Sequence, residues 1–231
     1  MKVDAPSGAD ERQRVIEAYE RRVDDGRYDP RRPDQIALAA ARADAWRAAL
    51  VAGGGTLRRV VEVGCGSGAV ARWAMHQGAG PLLGVDLQED RLRSAKAQLV
   101  VPTYAVADAR ALPLRDDTVD VAICSTLFSS VLDEGVARDI AREIDRVVAH
   151  DGMILWFDFF RRNPRNPDVR PVGMEELGRW FPDWQPNLRR VVLAPPVARR
   201  LGRARRVADL LGGIPLLRTH YAGSLTRRHP S

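Results

Sequence analysis

Cysteine is nearly absent from this chain, and lysine almost as scarce. Two cysteines, Cys65 and Cys124, in 231 residues are too few for a disulfide scaffold and point to a reducing compartment. No apolar run approaches the roughly 18–20 residues that span a bilayer. The first thirty residues alternate charge of both signs and lack the apolar core of a secretory signal, so a cytoplasmic location is expected. There is no internal repeat and no long low-complexity stretch. With 45% hydrophobic and 29% charged residues, the composition excludes a mainly disordered chain, a collagen-like fibre and a long coiled coil. The length fits one large domain or two very small ones, and α/β sheets often run to this size as one unit.

Lys2 and Lys96 are the only lysines among 36 basic residues. A genome rich in G and C produces that bias without a functional cause. The net charge of +6 is unevenly spread. From Arg189 to Ser231 there are ten arginines and one acid, Asp209, a net of +9 that leaves −3 for the rest. The body is slightly acidic and the tail strongly basic.

Two helices are predicted first. Val15, Ile16 and Tyr19 share a face of one. Ile36, Ala39, Ala43, Trp46 and Leu50 recur at helical spacing in the other, from about Pro33 to Val51. Short apolar runs then alternate with helical patterns. Strands are predicted at Val60–Val63, Leu82–Val85, Tyr104–Val106, Val119–Cys124 and Met153–Phe157, with helices near 69–77, 89–99 and 135–149. That alternation argues for right-handed crossovers and a parallel sheet. A short helix at Met174–Phe181, a strand at Arg190–Leu193, a helix over 195–211 and a strand at Thr219–Leu225 follow. Two late strands without a full crossover fit an antiparallel edge.

The strongest signal is Glu62-Val63-Gly64-Cys65-Gly66-Ser67-Gly68. Alternating glycines after a buried strand let the backbone turn tightly and approach a ligand, and the next helix points free N–H groups at it. Gly64-x-Gly66-x-x-Ala69 with Asp86 downstream also satisfies the loose dinucleotide pattern, so a nicotinamide-dependent oxidoreductase is the rival reading. Glu62 argues against it, because a carboxylate at the strand's end suits an ammonium group better than a pyrophosphate. The third glycine, at Gly68, keeps the alternating form.

This stretch resembles the first motif of class I S-adenosylmethionine-dependent methyltransferases. The likeness continues through Gly84-Val85-Asp86, Asp108-Ala109-Arg110-Ala111-Leu112-Pro113-Leu114, Asp120-Val121-Ala122 and Arg146–Gly152, and is nearest the small-molecule, type 11 branch. The resemblance implies a Rossmann-like, seven-stranded, mostly parallel sheet of order 3-2-1-4-5-7-6 with strand 7 antiparallel. It would carry an N-terminal helical cap (1–56), a core (57–231) and a basic helical insertion (195–211), together one structural domain. It implies S-adenosylmethionine as cofactor. Glu62 would hold the methionine ammonium, and Gly64, Cys65 and Gly66 would pass under the methionine and ribose. Asp86 would accept from the ribose hydroxyls, Leu87 would pack on the adenine, Asp108 and Ala109 would meet the adenine edge, and Ser125 would lie beside the sulfonium. Asp86 and Asp108 as helix caps are the bland alternative. Asp151-Gly152 stands where the family usually has two glycines, in a turn away from the cofactor.

The family has no universal catalytic residue. His220 and Asp158 are the candidates for a base, and His76 sits late on a crossover helix. A proline-rich tetrapeptide typical of amino-methylating nucleic-acid enzymes is missing, Ser125-Thr126-Leu127-Phe128 standing in its place. Neither cysteine is placed as a nucleophile, and Asp158 alone makes no divalent metal site. Arg199, Arg200, Arg203, Arg205 and Arg206 surround one apolar stripe. They are either a solvated face or a contact for an anionic acceptor or membrane surface. No aromatics are interleaved there for nucleic acid, though an RNA-directed methyltransferase stays a further alternative. The expected acceptor is a small molecule, O- or N-methylated in secondary metabolism or surface-sugar synthesis.

Overall fold

The computed structural model describes residues 8–24, 31–54, 56–162, 166–193 and 218–228. The expected basic helix over 195–211 lies outside them. The elements are α1 (Gly8–Asp24), α2 (Pro33–Ala52), β1 (Val60–Val63), α3 (Ala69–His76), β2 (Leu82–Asp86), α4 (Glu89–Gln98) and β3 (Thr103–Val106). There follow β4 (Val119–Ser125), a 3-10 turn (Phe128–Ser130), α5 (Glu134–Val147), β5 (Val148–Phe159), α6 (Met174–Trp180), β6 (Trp184–Leu193) and β7 (Arg218–Arg227).

Seven strands form one sheet in the order β3-β2-β1-β4-β5-β7-β6. β1 to β5 pair in parallel, and β7 runs antiparallel to both β5 and β6. The order and the reversed strand are those expected. The central strands carry apolar residues on both faces because helices cover both. One core layer joins Val61, Val63, Cys124, Ile154 and Trp156 to α5 and α6. The other joins Val121, Ile123, Leu155, Phe157 and Ala222 to Trp46 of α2 and Ala71 of α3.

Three local expectations need correction. The stripe of α2 that meets the sheet is Ala45, Trp46 and Ala49, whereas Ile36 is 56% exposed. Small alanines mask the true face, since apolar side chains occur all round that helix. α5 stops at Val147 and β5 begins at Val148, earlier than Met153, because Val148 pairs with Val119 before the ladder jumps to Val121 and Met153. β6 is also longer than expected. Pro186 interrupts the apolar side of its period of two, and pairing with β7 from Trp184↔Arg227 to Leu193↔Arg218 imposes the strand. Pro186 is tolerated because β6 is an edge.

Candidate functional site

The glycine turn is built by the strand beside it. Gly64 N–H and Cys65 N–H both donate to Val85 O, at 2.8 and 2.9 Å. Gly64 and Gly66 have φ of 74° and 52°, a region costly for other residues. Asp86, at the end of β2, ties the turn down. Its Oδ2 accepts from Gly66 N (2.8 Å) and its Oδ1 from Gln88 N (3.0 Å).

A cavity of about 80 Å³ lies at the carboxyl ends of β1 to β4, bounded by Gly64, Asp86, Leu87, Asp108 and Ala109 below and by Glu11, Val15 and Tyr19 of α1 above. That is well under the roughly 300 Å³ of an ordinary ligand pocket. Arg91 fills part of it. Its guanidinium overlies Gly66, comes within 4.0 Å of Asp86 and stacks 4.4 Å from the Tyr19 ring. α1 is held across the cleft by polar contacts. Glu11 accepts from Leu132 N (2.6 Å), Tyr19 Oη meets Ser130 Oγ (2.9 Å), and Gln88 Nε2 donates to Ile16 O (3.2 Å). Asp108 is closed by its neighbour: Arg110 donates to it through its backbone (2.9 Å) and its side chain (2.7–3.2 Å). Burial works to raise the Asp108 pKa, but these bonds outweigh it and leave it lowered.

The second group gathers on the α2 face of the sheet. Glu62 pairs in register with Ile123, and Ser125 with Phe157. Glu62 is buried, and its Oε2 has no hydrogen-bond partner. Burial pushes its pKa up to about 8, against the pull of Arg42. Arg42, half-buried on α2, donates to Ser125 Oγ (3.1 Å) and lies over the rings of Trp46 (5.2 Å) and Phe157 (5.6 Å). No carboxylate comes within ion-pair distance of it among the described residues. Burial lowers it to about 10, with Glu62 acting in the other direction. Nothing in the sequence pattern singled Arg42 out; the one available signal is a guanidinium inside an alanine-rich helical run.

His220, at the start of β7, is buried between Phe157 (4.7 Å) and Phe159 (4.0 Å). Thr219 Oγ1 donates to Val192 O (3.2 Å) and lies 2.8 Å from His220 Nδ1. With its proton committed to Val192, Thr219 accepts from Nδ1–H. His220 Nε2 is then left as a bare lone pair, and it is buried without a partner. Burial, and next to it the charge of Arg42, lower the imidazole to about 3. It is neutral at ordinary pH.

Asp158 is one residue on from Phe157 and so faces the opposite layer. Its oxygens accept from Ser129 N (3.0 Å) and Phe159 N (2.8 Å), and burial raises it to about 6. The two candidate bases are therefore on opposite faces, with Asp158 spent on fastening the turn after β4. Cys65 and Cys124 are buried, and burial raises both thiols. His76 is exposed at the end of α3. No three metal-ligating side chains converge among the described residues, and no helix among them is long and apolar enough to cross a membrane.

Residues 61–156 match the family model described as a methyltransferase domain. Over 162 residues the chain is 26% identical to the ubiquinone biosynthesis O-methyltransferase of Neisseria meningitidis serogroup A, spanning 67% of this chain and 66% of that relative. It is 35% identical over 104 residues to the malonyl-[acyl-carrier protein] O-methyltransferase of Geobacter sulfurreducens, 42% of this chain and 37% of that one. Among solved structures, an S-adenosylmethionine dependent methyltransferase from Mesorhizobium loti superposes with a TM-score of 0.56 at 24% identity, covering 82% of this chain and 100% of that one. The [4+2]-cyclase SpnF superposes with 0.57 at 16% identity, covering 84% and 81%. At such identities the likeness shows the fold, which hosts more than one chemistry.

Proposed function

From a chain that carries the methyltransferase domain of class I, S-adenosylmethionine-dependent enzymes, we propose an O-methyltransferase acting on a small-molecule hydroxyl. The observation that carries the cofactor half of this reading is the Glu62–Arg42 face. Glu62, level with Ile123 of β4, is a buried carboxylate with an unpartnered oxygen, and Arg42, bonded to Ser125 at the end of β4, has no carboxylate within ion-pair distance among the described residues. An α-amino acid zwitterion has the complementary charges: its ammonium suits Glu62, and its carboxylate suits Arg42. A pyrophosphate would meet Glu62 as a like charge.

The remaining roles follow from position. Gly64, Cys65 and Gly66 supply the close-approach backbone, Asp86 the ribose acceptor, and Leu87 and Ala109 the walls of the nucleoside cavity. Asp108 faces the adenine edge once Arg110 yields a lone pair. Ser125, already bonded to Arg42, stands at the reacting end. When bound, the sulfonium supplies an electrophilic methyl carbon and a good leaving group, so most of the protein's work is positioning and exclusion of water. His220 Nε2 offers its lone pair to the acceptor hydroxyl as a hydrogen-bond acceptor that orients it, and the Thr219 contact holds the tautomer that makes this possible. α1 covers the cleft, which fits a role as the cap. The oxygen acceptor is favoured by the names of the relatives, both O-methyltransferases.

Titration of the full chain with S-adenosylhomocysteine and with NAD tests the cofactor. Binding of the first alone is expected; binding of NAD alone would overturn the reading. With a hydroxyl acceptor in hand, His220→Gln should lower kcat and leave S-adenosylhomocysteine affinity unchanged. Thr219→Val should lower kcat less.

A further inference from the structure

We propose a phosphate-binding subsite for the methyl acceptor at the rim of the sheet where β5 ends, β7 begins and β6 nears its end, built by Arg161 and Arg190 on the rings of Phe160 and Tyr221. It deepens the methyl-transfer reading by naming the anionic group the acceptor carries.

The register brings these residues together. Asp158 pairs with Tyr221 and Arg190 pairs with Tyr221, while Phe160 N–H extends the ladder by donating to Thr219 O (3.1 Å). β5 ends here, β7 begins here and β6 is near its end. This is the edge at which open α/β sheets hold their ligands. The two rings are half-buried, with centroids 4.4 Å apart. Arg190 lies over both, 5.2 Å from Phe160 and 6.0 Å from Tyr221, and Arg161 lies 5.7 Å from Phe160.

Two features point to an anion. A guanidinium that rests over a ring without a carboxylate partner keeps N–H donors available, and its planar fork can take phosphate oxygens in pairs. Here both guanidiniums are exposed, and neither is paired with a carboxylate among the described residues. Most other arginines of the body are so paired, including Arg59, Arg93, Arg110, Arg146 and Arg179. Two like charges on one ring repel, and a dianion relieves that better than a single carboxylate can. A phosphate monoester is the ligand that fits.

The span also fits one substrate. Ser125 pairs with Phe157, three residues before Phe160, which is about 10 Å along a strand. Phe160 and Tyr221 lie on the layer opposite Ser125, so an acceptor with its hydroxyl beside Ser125 reaches them by passing over the end of β5, its phosphate at the rim of the sheet.

The test titrates the full chain with phenyl phosphate, inorganic phosphate and benzyl alcohol by ligand-observed NMR. The expected order is phenyl phosphate tightest, inorganic phosphate weaker and benzyl alcohol weakest. Arg161→Gln/Arg190→Gln should weaken phenyl phosphate about tenfold, the size of one charge-assisted bond lost. Added salt should weaken the wild type more than the double variant. Phenyl phosphate binding that survives unchanged in the double variant, or that matches benzyl alcohol in the wild type, overturns the subsite. S-adenosylhomocysteine affinity, measured on the same two proteins, should not differ. If the wild type fails to bind it, the methyl-transfer reading falls while the phosphate readout still stands or fails alone. If only the double variant loses it, the patch belongs to the cofactor site and the subsite is overturned.

Discussion

The two halves of the cleft differ in how their charges are used. Around the glycine turn every acid is already engaged: Asp86 with Gly66 and Gln88, Asp108 with Arg110. Under α2 the charges are left waiting, with Glu62 Oε2 and His220 Nε2 unpartnered and Arg42 bonded once. The first half is a scaffold that exists before any ligand arrives. The second holds polar groups out of water at a cost that only a ligand offsets. Stability should therefore reside in the first half and ligand dependence in the second.

The largest expected effect tests the waiting half. Glu62→Gln should weaken S-adenosylhomocysteine on the order of a hundredfold, the upper range for a charged hydrogen bond, as read by calorimetry above pH 8. In the wild type, affinity should rise as pH climbs toward 8, because Glu62 must shed a proton before it meets an ammonium group. It should level off beyond that, and the Gln variant should lose the slope. An equal affinity in a folded Gln variant would remove the carboxylate from the site.

Asp86→Ala comes next. It removes the ribose acceptor and two backbone ties together, so affinity should fall tenfold to a hundredfold and the melting temperature of the ligand-free protein should drop. Glu62→Gln should not lower that melting temperature. A drop for both variants alike would erase the contrast between the halves.

Proton linkage gives a smaller effect of known sign. Glu62 titrates near 4.5 in the unfolded chain and near 8 in the fold. Between those values the folded chain holds a proton that the unfolded chain has released, so its contribution to stability falls as pH rises from 4.5 to 8 and is flat above. Thermal melts across that window should show the decline in the wild type and less of it in Glu62→Gln.

The smallest effect concerns Arg91. Its guanidinium lies on the glycine turn, 4.0 Å from Asp86, and must leave before a ribose can enter. Arg91→Gln should tighten S-adenosylhomocysteine a fewfold, the size of a weak surface ion pair. Weaker binding would instead make Arg91 part of the cofactor's own contacts.

The alternation of strands and helices and the glycine turn were legible because their signals are local, and the sheet order followed from the family resemblance that the turn carries. β1, the turn and Asp86 lie between Val60 and Asp86, and Asp108 finds Arg110 two positions on. The α2 face was not legible, because its contacts are distant in sequence. Arg42 meets Ser125 across 83 residues, and Trp46 reaches Trp156 O across 110. Glu62 and Ser125 could be named from the strands that carry them, but no pattern in the chain says which arginine faces them. Asp158 shows the converse failure. It ends the expected strand, yet the strict alternation of β5 turns it toward Ser129, away from His220.

Arg42 also lies over the indole of Trp46, which tilts 5.0 Å from Trp73 and donates to Trp156 O. A cation held against an excited indole alters its emission, so the protein carries an optical gauge of its own site. An anion that draws the guanidinium off the ring will change the fluorescence of Trp46 without any label, in a stopped-flow trace as readily as at equilibrium. Trp46→Phe would silence the signal while leaving Arg42 a ring to rest on.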